Sequence, residues 1–297
     1  MSPDSSFFGL LNINKPSGPT SHDVVARVRR STRVRKIGHA GTLDPLASGV
    51  LVLCLGQATR LSEYVMRSRK TYRALVRFGV TTDTYDADGE VLAERSADDL
   101  TPARVEAALA PFRGEIAQVP PPYSAIKRDG KKLYELARAG EVVQAEPRPV
   151  TIYRLAVTGM ALPDVTLEVE CSPGTYIRSL AHDLGQALGV GAYLAGLVRA
   201  ASGLFRIEEA VPLDVFEAAV AAGSWRDCLL PPDLALQDLP AVHLDAAEAQ
   251  RIQHGNTVPA PSDATSEARA YDPTGRLLAL ITAGEGVWRP LRVFPPD

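Results

Sequence analysis

The 297 residues are 45% hydrophobic and 23% charged, enough for a packed core and, by length, for roughly two domains. No apolar run approaches the ~20 residues a membrane helix needs, and the N-terminus lacks the basic start and apolar core of a secretory signal, so the expected location is cytoplasmic, without membrane contact. The net charge of −3 hides an asymmetry: residues 9–77 hold thirteen Lys or Arg against three Asp or Glu, whereas residues 213–297 hold six against twelve, leaving a basic N-terminal field that suits a polyanion.

In chain order, residues 7–13 predict a short strand and residues 14–19 (NKPSGP) a turn. Thr20 with Asp23 forms a capping pattern before a helix whose apolar face includes Val24 and Val28. Its far side and exit carry Arg27, Arg29, Arg30, Arg33, Arg35 and Lys36, a cluster equally suited to a solvated face and to an RNA backbone. Residues 37–49 (IGHAGTLDPLASG) then place three glycines and a proline ahead of an apolar strand at 50–55. Pro45 biases Asp44 towards extended backbone, on a loop where rigid structure can aim a reactive carboxylate. The plainer alternative is an aspartate capping a turn that Pro45 opens.

Residues 57–66 predict an amphipathic helix with Leu61 and Val65 inward, and residues 71–78 an alternating strand with Tyr72, Ala74, Val76 and Phe78 on one face. Residues 82–89 (TDTYDADG) are acidic, but a calcium loop would need ligands where Thr84 and Arg95 stand, so a turn between strands is expected, with Val91 beginning the second. Thr101 and Pro102 open a helix carrying Val105, Leu109 and Phe112 on one side. Residues 120–134 mix proline, tyrosine and lysine and predict an exposed arm leading into a short helix that Gly140 ends; the arm suits nucleic acid or an ordinary surface insertion. Residues 165–171 alternate as a strand, followed by a helix with Ile177, Leu180, Ala181 and Leu184 inward. Tyr176 and Arg178 fall off that stripe. Arg178 is either a surface residue or the permanent cation that keeps a site aspartate ionised.

Residues 230–240 have linker composition, Asp245 with Glu248 caps a short helix ending at Gly255, and alternating segments at 268–271, 277–281 and 287–294 around a turn at 272–275 predict a small β-rich module. Cys54, Cys171 and Cys228 are odd in number and far apart, and the first two lie in apolar strand patterns, so buried free thiols are expected there. None of the five histidines shows metal-ligand spacing.

Six stretches, at 14–21 (NKPSGPTS), 38–51 (GHAGTLDPLASGVL), 70–72 (KTY), 82–89 (TDTYDADG), 121–127 (PPYSAIK) and 174–178 (GTYIR), occur in an order and spacing that resemble the TruB family of tRNA pseudouridine synthases over nearly the whole chain. The resemblance implies an α+β catalytic domain with a mixed, mainly antiparallel sheet over residues 1–235, a thumb-like insertion at about 120–147, and a PUA-like β-rich domain over 239–297. It implies isomerisation of the T-loop uridine of tRNA (conventional position 55) by base flipping, with neither cofactor nor metal, by a monomer that recognises the T-arm and needs no protein partner. In residue terms it makes Asp44 the catalytic aspartate, Tyr72 the ring that stacks on the target base, and Arg178 the partner of Asp44. His39 becomes the group that enters the loop, with Lys15, Tyr176, Asp86 and Leu197 around the pocket and Arg33, Lys36, Lys127, Lys131 and Lys132 on the RNA backbone. The family often has two adjacent arginines after the residue matching Leu197; here Val198 precedes Arg199, which leaves one phosphate or pocket contact open. The chemistry itself asks for a carboxylate facing C1′ and C2′ of the ribose, acting as nucleophile or as base, in an enclosed pocket. Two other readings fit the same residues: an RNA-folding protein without turnover, and a glycoside hydrolase built on Asp44 and Asp86.

Overall fold

The computed structural model describes residues 7–124, 145–264 and 266–294, and the backbone of 127–128 and 131–132. The short helix expected before Gly140, most of the arm, and the side chains of Lys127, Lys131 and Lys132 lie outside these residues.

The first part of the chain is built on one large mixed sheet. Its strands are β1 (Phe8–Lys15), β2 (Ile37–His39), β3 (Ser48–Gly56), β4 (Lys70–Phe78), β7 (Gly114–Gln118), β10 (Arg148–Ala161), β11 (Asp164–Cys171), β12 (Ala192–Ser202), β13 (Phe205–Arg206) and β14 (Val211–Pro212). Between them, β5 (Val80–Thr82) pairs with β6 (Val91–Glu94), and β8 (Lys127–Arg128) with β9 (Lys131–Lys132), as separate hairpins. The order across the sheet is β14-β1-β3-β12-β4-β11-β10-β7, with β2 added beside β3 and β13 beside β12. Only the β1–β14 and β3–β12 pairs are parallel. The expected mixed, mainly antiparallel sheet is therefore present.

The strand sequences explain their places. β3 is almost wholly apolar and buried on both faces, which suits a central strand. β4 alternates as expected: Ala74, Val76 and Phe78 are buried, while Arg73 and Arg77 face solvent. Cys54 and Cys171 are buried free thiols, as their strand patterns predict.

Helices α1 (Ser21–Thr32), α3 (Pro102–Leu109), α4 (Ile177–Leu188) and α5 (Leu213–Ala222) border the sheet, and short α2 (Ser62–Arg67) follows β3. Both halves of the Thr20–Asp23 capping box form, and the Thr101 side chain accepts from the Arg104 amide. The helix expected over 57–66 begins instead as a 3-10 turn, Gln57–Leu61, because Gly56 (φ 59°) folds the chain back and the Gln57 amide is used by the Phe7 carbonyl; Leu61 and Val65 still face inward. No helix among the described residues is long and apolar enough to cross a membrane.

After a connection over 223–240, β15 (Ala241–His243), α6 (Ala246–Gln253), β16 (Val258–Pro259), β17 (Glu267–Tyr271), β18 (Leu277–Gly284) and β19 (Val287–Val293) form a second sheet, ordered β15-β17-β18-β19-β16. The module is bolted to the first by an apolar cluster: Leu61 meets Leu236, Tyr271, Leu277, Leu280 and Phe294, and the Phe8 and Phe294 rings stack at 4.7 Å. Arg60 donates to the Val293 carbonyl at 2.7 Å, Tyr64 to Glu267 at 2.8 Å, and Arg292 reaches Glu63 and the Arg60 carbonyl.

A tight point of the sheet is where β3 and β12 run parallel for only two residue pairs, Ser48 beside Val198 and Gly49 beside Arg199. Gly49 has φ 98°, and a Cβ there would come within 2.3 Å of the Arg199 carbonyl oxygen. Gly49→Ala is expected to destabilise the protein by about 1–3 kcal/mol, from left-handed strain plus the clash, read as a lower midpoint in urea with an unchanged slope. A wild-type midpoint would show that the crossing has slack.

Candidate active site

The site is assembled around the irregular loop between β2 and β3, and two buried cations hold that loop. Lys15, at the end of β1 opposite Gly49, has no exposed surface; its ammonium donates to the carbonyls of Pro16, Pro45 and Ala47 at 2.9, 3.4 and 2.7 Å. Burial brings its pKa down to about 8, with neighbouring Asp44 pulling the other way. Arg199, 2% exposed on β12, spreads its guanidinium over the carbonyls of Val50 (2.7 Å), Thr42 (3.3 Å) and Gly41 (3.0 Å). At the start of α1, the Ser21 hydroxyl donates to the Leu43 carbonyl at 3.0 Å and accepts from the Leu43 amide at 2.8 Å. The chain does turn at Pro45, with the Ala47 amide on the Asp44 carbonyl at 3.1 Å. The Asp44 side chain, however, points to Arg178.

Arg178 sits at the start of α4, whose first turn is pinned from β7: the Gln118 amide group exchanges hydrogen bonds with the backbone of Tyr176 at 2.8 and 3.0 Å, and Ser179 donates to the Val119 carbonyl at 2.8 Å. Although off the apolar stripe, Arg178 is buried, with its side chain 7% exposed, so the surface alternative is excluded. Its Nε lies 3.0 Å from Asp44 Oδ2, an ion pair without the alignment of a hydrogen bond. Nη1 lies 3.3 Å from Asp86 Oδ2 and donates to the Thr84 carbonyl at 3.2 Å, and Nη2 donates to the Tyr123 carbonyl at 3.1 Å. Asp86 is buried and also accepts from the Thr84 hydroxyl (2.6 Å) and the Asp88 amide (3.1 Å).

Asp44 is the open end of this array. Its side chain is 42% exposed, at the floor of a cleft where water reaches the oxygens but protein surrounds them. That partial loss of hydration raises its pKa above the ordinary carboxylate range; Arg178 opposes the rise, and Asp86 adds to it. The cleft has a volume of about 400 Å³ and is walled by Tyr72, Tyr176, Ile177 and Leu197, with Lys70 and Arg199 at its edge. Burial raises the phenol pKa of Tyr72, against the pull of the Arg199 charge beside it. Burial raises the Tyr176 phenol likewise, with Arg178 opposing the rise. Lys70 is buried, donates to the carbonyls of Val65 (3.0 Å), Met66 (2.6 Å) and Ser68 (2.5 Å), and is held at about 8 by desolvation. A larger hollow, about 690 Å³ between Arg77, Arg95 and Leu162, shares no lining residue with this cleft.

Of the residues singled out from the sequence, Asp44, Tyr72, Tyr176, Arg178 and Leu197 line the cleft together. Lys15 and Asp86 stand behind it, one under the loop and one behind Arg178. His39 lies on β2 outside the lining, edge-on to His22 at 5.2 Å; its Nδ1 is unpartnered, and burial lowers its pKa. Arg33 and Lys36 are exposed at the opposite end of β3, where the Gly56 amide meets the Lys36 carbonyl. A nine-residue strand separates them from the Asp44 loop, roughly 27 Å. Arg27, part of the same basic cluster, is committed to Glu217 at 2.6 Å. Sequence reasoning left Arg199 and Lys70 without roles. The available signals were the KTY stretch that holds Lys70 and the place of Arg199 as a cation inside an otherwise apolar strand pattern.

The sequence profile described as TruB family pseudouridylate synthase (N terminal domain) matches residues 29–177, tRNA pseudouridylate synthase B C-terminal domain matches 178–237, and tRNA Pseudouridine synthase II, C terminal, matches 239–295. The chain is 50% identical over 295 residues to tRNA pseudouridine synthase B of Burkholderia pseudomallei, with 96% of each chain covered. It is 44% identical over 288 residues to the protein of that name from Dehalococcoides mccartyi, again with 96% of each covered. Among solved structures, it resembles a chain of a Cbf5-Nop10-Gar1 complex with a TM-score of 0.76 at 29% identity, covering 97% of this chain and 85% of that one. A chain of an H/ACA RNP bound to a substrate RNA containing 2′-deoxyuridine gives a TM-score of 0.74 at 26% identity, covering 100% and 92%.

The charge arrangement predicts opposite effects from two substitutions. Titrated by carboxyl-carbon NMR, Asp44 is expected to ionise above the ordinary aspartate value. Arg178→Met should raise the midpoint further by removing the attracting cation, whereas Asp86→Asn should lower it by removing the repelling carboxylate. Shifts of the same sign in both variants would contradict the placement of Arg178 between the two acids.

Proposed function

Because the chain belongs to the TruB family of pseudouridine synthases and is an enzyme that isomerises uridine in tRNA, we propose that its target is the T-loop uridine at conventional position 55 and that Asp44, Tyr72 and Arg178 carry the reaction. The observation that supports this most is the Arg178–Asp44 pair at the floor of a cleft walled by two tyrosines: a carboxylate, a fixed cation and aromatic faces around a space in the size range of small-molecule sites.

The reaction breaks the N1–C1′ bond, turns the uracil, and forms C5–C1′; the hydrogen on C5 leaves as a proton and N1 ends protonated, so substrate and product have the same atoms. Asp44 starts the sequence as a carboxylate, either attacking C1′ to form a glycosyl ester or removing a proton from C2′ on the way to a glycal. Arg178 favours the ionised form against the desolvation that RNA binding increases. The cleft walls keep the detached base from diffusing away. Tyr72, with the Arg199 charge beside it, stacks on the flipped base and presents its phenolic oxygen for proton removal at C5. Tyr176 and Leu197 enclose the base, Lys15 and Asp86 stiffen the two loops that carry the charge pair, and His39 enters the opened RNA loop.

The basic field supplies affinity. Arg33 and Lys36, at the far end of β3, suit phosphates of the T-arm stem, whereas the phosphates beside the flipped uridine lie near the cleft. The lysines of the arm, Lys127, Lys131 and Lys132, complete the backbone contacts, the arm acting as a thumb over the RNA. The enzyme works in the cytoplasm as a monomer, without a protein partner, and its second sheet is a PUA-like domain beginning near residue 239.

Asp44→Asn is expected to lower single-turnover pseudouridine formation by at least ~10³-fold while T-arm affinity stays within about threefold, since the amide keeps shape and loses nucleophilicity. Near-normal turnover would remove Asp44 from the chemistry. Tyr72→Phe should bind normally and stall after glycosidic cleavage; full activity would limit Tyr72 to packing.

An isolated T-arm hairpin should be a sufficient substrate. Arg33→Ala and Lys36→Ala should each weaken binding to all RNA sequences and flatten the slope of log affinity against log salt by about one unit. An inert hairpin beside reactive full-length tRNA, or affinity indifferent to salt, would refute this assignment of the basic field.

A further inference from the structure

One group of side chains beside the cleft has no part in the mechanism above. Tyr85 has φ 65°, a left-handed backbone that a bulky residue rarely adopts, and its ring lies flat on His182, with centroids 3.8 Å apart and planes 13° from parallel. His182 stands on α4 one turn beyond Arg178, so the two side chains leave the same face of the helix. The reversed backbone at Tyr85 separates Thr84, whose carbonyl accepts from Arg178, from Asp86, whose carboxylate pairs with the same guanidinium nitrogen. β12 holds the other side of the turn: the Leu194 amide donates to the Tyr85 carbonyl at 3.0 Å, and the Ala87 amide to the Leu194 carbonyl at 3.1 Å. Thus α4 grips the turn on two successive rungs, by charge at Arg178 and by ring stacking at His182. Asp183, on the same helix, is near enough to influence Tyr85 electrostatically and is itself raised to about 6 by burial.

We propose that the Tyr85–His182 stack is a positioning device that locks the 82–89 turn to α4, so that Asp86 and the Thr84 carbonyl hold Arg178 at the distance and angle from which it faces Asp44. Without the stack the strained backbone relaxes, Asp86 swings with the turn, and Arg178 follows it away from Asp44. This rests on Asp44 being the reacting carboxylate.

The test compares variants that keep the ring with variants that lose it. Asn tolerates the left-handed backbone, so Tyr85→Asn removes the ring without a new steric cost. Tyr85→Asn and His182→Ala should each lower the single-turnover rate about tenfold with T-arm affinity unchanged, and should move the acid limb of the pH–rate profile upward as Asp44 loses its cation. Tyr85→Phe and His182→Phe should stay within about twofold of the parent, because stacking survives. The double variant Tyr85→Asn/His182→Ala should be no slower than either single one, since each already removes the shared contact. Wild-type rates and acid limbs in the ring-less variants, additive losses in the double, or equal damage from the Phe variants would overturn the proposal. If Tyr85→Asn fails to fold, His182→Ala decides alone, because alanine suits a helix interior. A fully active Asp44→Asn would remove the premise; an inactive one beside unaffected stack variants would remove this inference only.

Discussion

An arginine buried to 6% exposure, Arg178, is the constraint on which the site depends. Charge in the interior is costly unless its partners are in place, and Arg178 has five donor hydrogens to satisfy. Its partners come from three segments distant in sequence: Asp44, by charge without an aligned hydrogen bond, from the loop before β3, Thr84 and Asp86 from the turn after β5, and Tyr123 from the segment after β7. Two carboxylates that would otherwise repel are brought to the same cation. Neither the loop nor the turn can relax independently, because each would leave a buried charge short of a partner.

The same logic operates on a second level. An irregular loop next to a core exposes carbonyl oxygens that no strand partner satisfies, and orphaned buried polar groups are expensive. Lys15 and Arg199 answer this with compact and forked donors, holding carbonyls on both sides of Asp44. Arg199 also edges the cleft, where its charge opposes the rise of the Tyr72 phenol pKa, so one side chain fixes the loop backbone and sets the field at one wall of the cleft. The rigidity needed to aim a carboxylate thus comes from buried cations bound to backbone, while regular hydrogen-bonding ladders supply the platform.

What could be read in the sequence was local. The capping boxes at Thr20 and Asp245, the proline-opened helix at 102, the alternation of β4 and the three strands after residue 267 depend on neighbours a few residues apart, and they formed as expected. The motif carrying Asp44 also announced itself, because glycine, proline and aspartate in that density make an unusual backbone. Long-range geometry was not legible. Nothing near Arg178 says that it turns inward rather than out from a helix start, since burial was decided by acceptors 55 to 94 residues away. Arg199 reaches carbonyls 149 to 158 residues away, and its strand pairs with β3 over only two positions, a register that no hydrophobic pattern encodes. The basic cluster after α1 looked like a neighbour of Asp44 because few residues intervene, yet β2 and β3 run between them and place them at opposite ends of a strand. Arg27, grouped with that cluster by sequence, is paired instead with Glu217 of α5.

The seam between the two sheets has a mechanical meaning. Phe8, Leu61, Leu280 and Phe294 interlock across it, and an ion pair and a hydrogen bond from α2 close its edge, so the second module is not a head swinging on a tether. Its linker contributes Leu236 to the seam and Asp233 to the Tyr271 hydroxyl, which removes the slack a linker would otherwise provide. Whatever surface the module offers is therefore held at a constant offset from Asp44. An object that touches both modules must match a span that the seam has already set.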